Sequence, residues 1–292
     1  MTAVLFHDCF YAMGTRFDAV LADVDEARGR GLVREAALRV EEMEEALSVH
    51  RTGSAASWLN RRLETQADAA IDDPQLFGAL SVAEHARAAT GGLFTPTARV
   101  GAPAPGFQVD REAWRVEVEA PGARFDFGGL GKGLALDVVE PMLVAAGVAS
   151  AFLSFGESSI RAVGRHPLGP HWPVSLRHPM AGERELTSFA LTDACLSVSS
   201  TVRNGREGGA VHAHVIRASS GAPVAGAKTV CAVTQTAAMG EAISTALLAA
   251  HEHEALAVTK APGMIEEIAE WRVFSFDDDM PVRPAMEPQH AD

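Results

Sequence analysis

Glu241 and Thr245 stand four residues apart in the run 237–250, whose apolar content and spacing predict a helix. Four residues make about one turn, so the carboxylate and the hydroxyl share a face. Both are hard oxygen donors of the kind Mg²⁺ takes. The plainer alternative is a solvated helix glutamate beside a threonine bonded back to the Glu241 carbonyl. A second cluster is Gly128-Gly129-Leu130-Gly131-Lys132-Gly133, a glycine-dense entry into another predicted helix. Small residues let backbone approach a ligand, helix-start amides favour an anion, and Lys132 adds a positive charge. The segment has neither the P-loop nor the dinucleotide-fold glycine pattern. Its alternative reading is a tight turn with close helix packing. His212 and His214 stand two apart and are not read as a shared metal site. Either one suits phosphate contact or proton transfer.

Several elements must position these groups. Residues 10–24 read as a strand pair turning at Gly14, and 31–49 as an amphipathic helix. Ser57 is placed as the cap of a short helix carrying Trp58 and Leu59. Asp73-Pro74 opens a further helix closed by Gly91-Gly92. Residues 101–108 read as irregular, and Trp114, Val116 and Val118 as a strand. The glycine segment leads into a helix ending at Gly147. Strands follow at 151–155, 160–163, 174–176, 189–191 and 230–234, and a last helix is expected over 264–271. Gly156-Glu157-Ser158-Ser159 interrupts an apolar run, which marks a site edge. Hairpin-like turns separate the strands, so the class is α+β rather than a doubly wound sheet. We expect one domain over 1–280 and a frayed tail over 281–292.

Composition narrows the function. The 292 residues are 47% hydrophobic but only 6% aromatic, so the core is built from Ala, Val, Leu and Phe. A formal net charge of −13 argues against nucleic-acid and anionic-lipid partners. Cys9, Cys195 and Cys231 are far apart and form no zinc or disulfide pattern. The first residues show no signal segment and no run long enough to span a bilayer. The expectation is therefore a cytoplasmic protein without membrane insertion.

Taken in order, the segments resemble the ApbE family of FAD:protein FMN transferases. The resemblance lies in Met13-Gly14-Thr15, and in the S-x-x-S-x-L-N pattern over 54–60. Phe94-Thr95-Pro96-Thr97 is similar to the family's F-D-P-T. Residues 126–133 are similar to D-L-G-G-I-A-K-G, and 153–157 to N-L-G-G-D. Residues 197–200 are similar to S-T-S-G, 214–224 to H-I-I-D-P-R-T-G-x-P-V, and 240–246 to A-D-A-L-S-T-A. Thr95 and Arg217 replace family acids, and Glu241 replaces an Asp. The resemblance implies an ApbE-like α+β fold with mixed or antiparallel sheets and a central flavin cleft. It implies FAD as substrate, contacted by Met13, Gly14, Thr15, Thr97, Gly129, Gly131, Lys132, Gly156, Glu157 and His214. It implies Mg²⁺ held by Glu241, Thr245 and the Gly131 carbonyl. The implied catalytic residues are His214, Glu241 and Thr245, with His214 nearest the reacting phosphate as base or positioning group. The implied reaction places FMN on a Thr or Ser of an acceptor flavoprotein and releases AMP. The alternative is a relative that acts as an FAD pyrophosphatase or as a flavin-binding protein without transfer.

Overall fold

The computed structural model describes residues 4–181, 184–202, 215–261 and 267–276, and the backbone of 284–286. β1 (Leu5–Ala12) and β2 (Thr15–Ala22) form a hairpin closed by Met13 and Gly14. Both turn residues have positive φ, +48° and +73°, which matches the twist of the flanking strands. α1 (Glu26–Leu47) follows, capped by Asp25, and begins five residues before the expected start. α2 (Ala55–Leu63) is capped by Ser54 rather than Ser57. The Ser54 hydroxyl accepts from the Ser57 amide at 3.0 Å, so Ser57 is the residue being capped. β3 (Asp68–Ala70) precedes α3 (Pro74–Ala89), whose Asp73 cap and leading proline are where the sequence put them.

β4 (Phe107–Asp110) and β5 (Arg115–Val118) pair within the region expected to be partly irregular. Trp114 takes the turn between them with φ of +50° and stacks on Phe77. α4 (Gly131–Ala145) leads to β6 (Ala151–Phe155) and β7 (Ser159–Val163). β8 (Trp172–Arg177) and β9 (Glu185–Leu191) pair only with each other. β10 (Ala194–Ser200), β11 (Lys228–Thr234), α5 (Ala237–Ala249), α6 (Glu252–Thr259), β12 (Ile268–Ser275) and β13 (Pro284–Met286) complete the order. Of the helix expected over 264–271, residues 264–266 lie outside the described residues, and the part from Ile268 is a strand instead. Residues from Ile268 pair with β11, and the burial of Trp271, Val273 and Phe274 alternates only loosely, which hid the strand. The tail is not wholly frayed either, because β13 pairs with the outer edge of β12.

The main sheet has eight antiparallel strands in the order β1-β2-β6-β7-β10-β11-β12-β13. α1 and α4 cover one end of one face, where Phe17, Leu21, Leu153 and Phe155 meet Val40, Leu136 and Val139. α5 covers the middle of that face, and its outer side packs on α2 and α3 through Leu63, Leu80, Ile243 and Leu247. The β8–β9 hairpin lies on the opposite face, with Trp172, Phe189 and Leu191 against Ile160, Leu196 and Cys231. β11 is thus covered on both sides, which explains its unbroken apolar run. Every residue of α5 except Thr245 is buried.

Gly133 lies where α4 crosses α5. A Cβ there would sit 2.6 Å from the backbone of Ala237 and Ala238. Gly133→Ala should destabilise the fold by about 1–3 kcal/mol, because backbone cannot yield as a side chain can. Gly31→Ala, on the exposed face of α1 with no atom nearby, should stabilise it by up to about 1 kcal/mol. Urea midpoints of the two variants check both signs.

Candidate active site

A cleft of about 1250 Å³ opens beside the N-terminal end of α4. The glycine segment forms one wall with Gly128, Gly129 and Lys132. The β6–β7 turn adds Gly156, Glu157 and Ser158, and β10 adds Ser197, Ser199 and Ser200. Glu241 and Thr245 reach it from α5. The β8–β9 hairpin closes the far side with Val174, Leu176 and Arg177. The groups singled out on widely separated segments therefore converge.

Glu241 is only 4% exposed, yet it borders this cleft. Its Oε1 takes the Lys132 ammonium at 2.6 Å and the Ser159 hydroxyl at 2.5 Å. Its Oε2 accepts the Gly133 amide at 2.9 Å. A carboxylate has about four lone-pair positions, so one on Oε2 stays open. Among the described residues the Thr245 hydroxyl has one hydrogen-bond partner, the Ser199 hydroxyl at 3.3 Å. The back-bond to the Glu241 carbonyl that was weighed for Thr245 is made by its neighbour Ser244, at 3.2 Å. Ser244 also joins Ser197 at 3.0 Å and Ser199 at 2.7 Å, which lines the cleft floor with linked hydroxyls.

The residues fit a small hard cation in their chemistry. One charged oxygen keeps a free lone pair, and an uncommitted hydroxyl stands one turn away. Among the described residues no group of three His, Cys, Asp or Glu side chains gathers at one point, so any metal here relies on hydroxyl and carbonyl oxygens.

Both readings of the glycine segment hold. Gly133 serves helix packing, while Gly128 and Gly129 border the cleft. Most loop amides are already used. Gly128 donates to Asp126, Leu130 and Gly131 to the Phe127 carbonyl, and Gly133 to Glu241. Among the described residues the Gly129 and Lys132 amides take no protein acceptor, so these two remain for an anion.

The other expected contacts divide. Gly156 and Glu157 border the cleft in left-handed conformations, φ +63° and +58°. Met13, Gly14, Thr15 and Gly131 are not among the residues that line it. The Met13 sulfur lies 3.7 Å from where a Gly131 Cβ would stand, and Thr15 packs on Gly156. Thr97 is not among the residues that line the cleft. Its hydroxyl is buried, donates to the Pro105 carbonyl at 2.8 Å and pairs with Thr95 at 2.7 Å, and Thr95 is the one that reaches the cleft. His214, with His212, lies outside the described residues.

Three partnerships went unnoticed in the sequence. Ser159 was part of the marked site edge, but nothing pointed it at Glu241. Asp137 accepts the first two amides of α5, Ala237 at 2.7 Å and Ala238 at 2.9 Å, from a hundred residues away. It supplies the cap that Thr236 does not. Arg217 donates to the Ala249 carbonyl at the other end of α5, where a cation suits the helix dipole. Burial pushes the Asp137 carboxyl up to about 6, against the two amides that favour its ionised form. Burial also pushes the Cys195 and Cys231 thiols up to about 12, so neither is a nucleophile near neutral pH.

The fold and the cleft define a nucleotide-scale site between a helix N-terminus and a buried carboxylate. The ApbE family profile matches residues 13–268, and the chain belongs to the ApbE family. It is 30% identical over 135 residues to an FAD:protein FMN transferase of Rhodobacter capsulatus. That match takes in 46% of this chain and about a quarter of the relative's length. The structure superposes on the flavin transferase ApbE of Vibrio cholerae with a TM-score of 0.76 at 18% identity, covering 95% of this chain and 96% of that one. It also superposes on the ApbE protein of Thermotoga maritima, with a TM-score of 0.78 at 16% identity over 96% and 97% of the two chains. The fold is α+β as the sequence indicated. Among the described residues no helix is long and apolar enough to cross a membrane.

The Asp137 clasp yields a pH prediction. The folded carboxyl releases its proton near 6, the unfolded one near 3.8, so the fold binds that proton more tightly. The stability drawn from this group therefore falls as pH rises between those values and is level above them. The margin of wild type over Asp137→Asn should shrink by on the order of 2 kcal/mol across that window. Urea unfolding of both proteins from about pH 4 to pH 7 checks it.

Proposed function

We propose that this chain transfers FMN from FAD to a Thr or Ser hydroxyl of an acceptor protein in the cytoplasm and releases AMP, working as one unit over 1–280. The observation that carries the reading is the meeting of an anion-facing helix start with a buried carboxylate. Gly129 and Lys132, whose amides take no acceptor among the described residues, border the same cleft as Glu241 and Thr245. Family membership and the name of the Rhodobacter capsulatus relative supply the chemistry.

In this reading the pyrophosphate lies at the start of α4, where the two amides and the Lys132 ammonium hold its oxygens. The acceptor oxygen bonds to the phosphorus on the FMN side, the bridging P–O bond breaks, and AMP leaves with the bridging oxygen. The acceptor hydroxyl's proton passes to solvent in that step, by way of His214 where that residue is the base. Mg²⁺, held by Glu241, Thr245 and the Gly131 carbonyl, supplies charge neutralisation on the phosphoryl oxygens. His214 is placed nearest the reacting phosphate, as base or as positioning group. Gly156 and Glu157 border the flavin side, and Thr15 packs on Gly156. The Ser197, Ser199 and Ser244 hydroxyls shape the floor without adding charge.

The test is incubation of the purified chain with FAD, Mg²⁺ and a candidate acceptor, read by intact-protein mass and by nucleotide chromatography. The expected result is an acceptor heavier by one FMN and an equal amount of AMP. AMP with free FMN and no adduct would assign a pyrophosphatase instead. Thr245→Ala is the clean variant, because its hydroxyl holds no strong internal bond. It should slow AMP release by about 10–100-fold with an unchanged melting midpoint. Glu241→Gln should slow it as well, but also lower the midpoint, since the Lys132 ammonium loses its partner.

A further inference from the structure

Lys132 is the second residue of α4, where the helix dipole disfavours a cation. Its side chain is 23% exposed, so water screens it only in part, and it is placed on the Glu241 carboxylate at 2.6 Å. Glu241 in turn has three internal donors and no other charged one. Each member of this pair therefore stands where the ligand's opposite charge belongs. The ammonium sits on the same carboxylate whose open Oε2 position suits a divalent cation, so the two cations compete for one negative charge, beside amides that an anion seeks.

We propose that the Lys132–Glu241 ion pair is an internal stand-in for the metal–phosphate pair, and that a divalent cation binds by displacing the Lys132 ammonium, which passes to the incoming phosphate. The exchange keeps every buried charge partnered. Before loading, Lys132 neutralises Glu241. After loading, the metal neutralises Glu241 and the phosphate neutralises Lys132. No covalent bond changes. Lys132 is thus a competitor of the metal in the empty cleft and a partner of the nucleotide in the filled one. The inference rests on the metal reading given above.

The experiment is Mn²⁺ binding to flavin-free protein, followed by the loss of the free-ion electron paramagnetic resonance signal. Lys132→Met and Lys132→Gln remove the competitor and should each bind Mn²⁺ at least about tenfold more tightly than wild type, a change of about 1.4 kcal/mol. A smaller gain, equal or weaker affinity, or no Mn²⁺ binding by any of the three proteins would overturn the proposal. A purely structural role for the pair predicts no gain. Wild type alone gives a second reading if the variants fold poorly. Reductive methylation of Lys132, quantified by peptide mass spectrometry, should rise when Mn²⁺ is added, and an unchanged extent would count against the exchange. AMP release from FAD is scored separately on wild type. Its absence with the affinity gain intact would remove the transferase reading and leave the exchange standing, and the converse would do the reverse.

Discussion

The site depends on one crossing, that of α4 over α5. Gly133 lets the two backbones meet, Asp137 one turn further along α4 ties down the first amides of α5, and Glu241 reaches back to the Gly133 amide. Three contacts thus fix both the distance between the helices and their relative rotation. Glu241 and Thr245 arrive at the cleft only because α5 is held in this rotation. α5 is buried on nearly all sides and has no useful cap of its own, so its end groups need outside partners. Asp137 provides one and Arg217 the other. Their charges also oppose the helix dipole in the favourable sense at both ends.

The same crossing bears on the anion site proposed for a chain of net charge −13. Local fields outweigh the net charge when the groups that make them are partly buried. Two amides without an acceptor among the described residues and an ammonium stand at the start of α4, and the buried Glu241 carboxylate beside them is already neutralised. The surrounding hydroxyls contribute dipoles that rotate rather than a fixed sign.

Much of this was legible in the sequence. The Met13-Gly14 turn, the Asp73-Pro74 helix start, the glycine segment and the α5 register all follow from local rules of turn chemistry, capping and period. The site was legible as an ordered series of segments, since their order survives even where single residues change. The misses share a cause. Asp137 and Arg217 act across long separations, and a charged residue has no local mark that says which distant helix end it serves. β12 was read as a helix because Trp271 and Val273 pack into the core on one face of the sheet while Phe274 packs into the core on the other, which blurs the two-residue alternation. Ser54 and Ser57 offered the same capping chemistry, and only the actual turn decided between them.

The β8–β9 hairpin has a different kind of attachment from every other wall of the cleft. It shares no ladder with the main sheet and is seated by Trp172, Phe189 and Leu191, with Arg272 of β12 reaching Thr187 and lying over the Phe189 ring. Apolar contact sets a distance but no register, whereas backbone pairing sets both. The cleft is therefore built like a vice with one jaw cast into the frame and one resting on a greased bearing. Lengthening or trimming the β8–β9 connection resizes the opening without breaking a single pair of the eight-stranded frame.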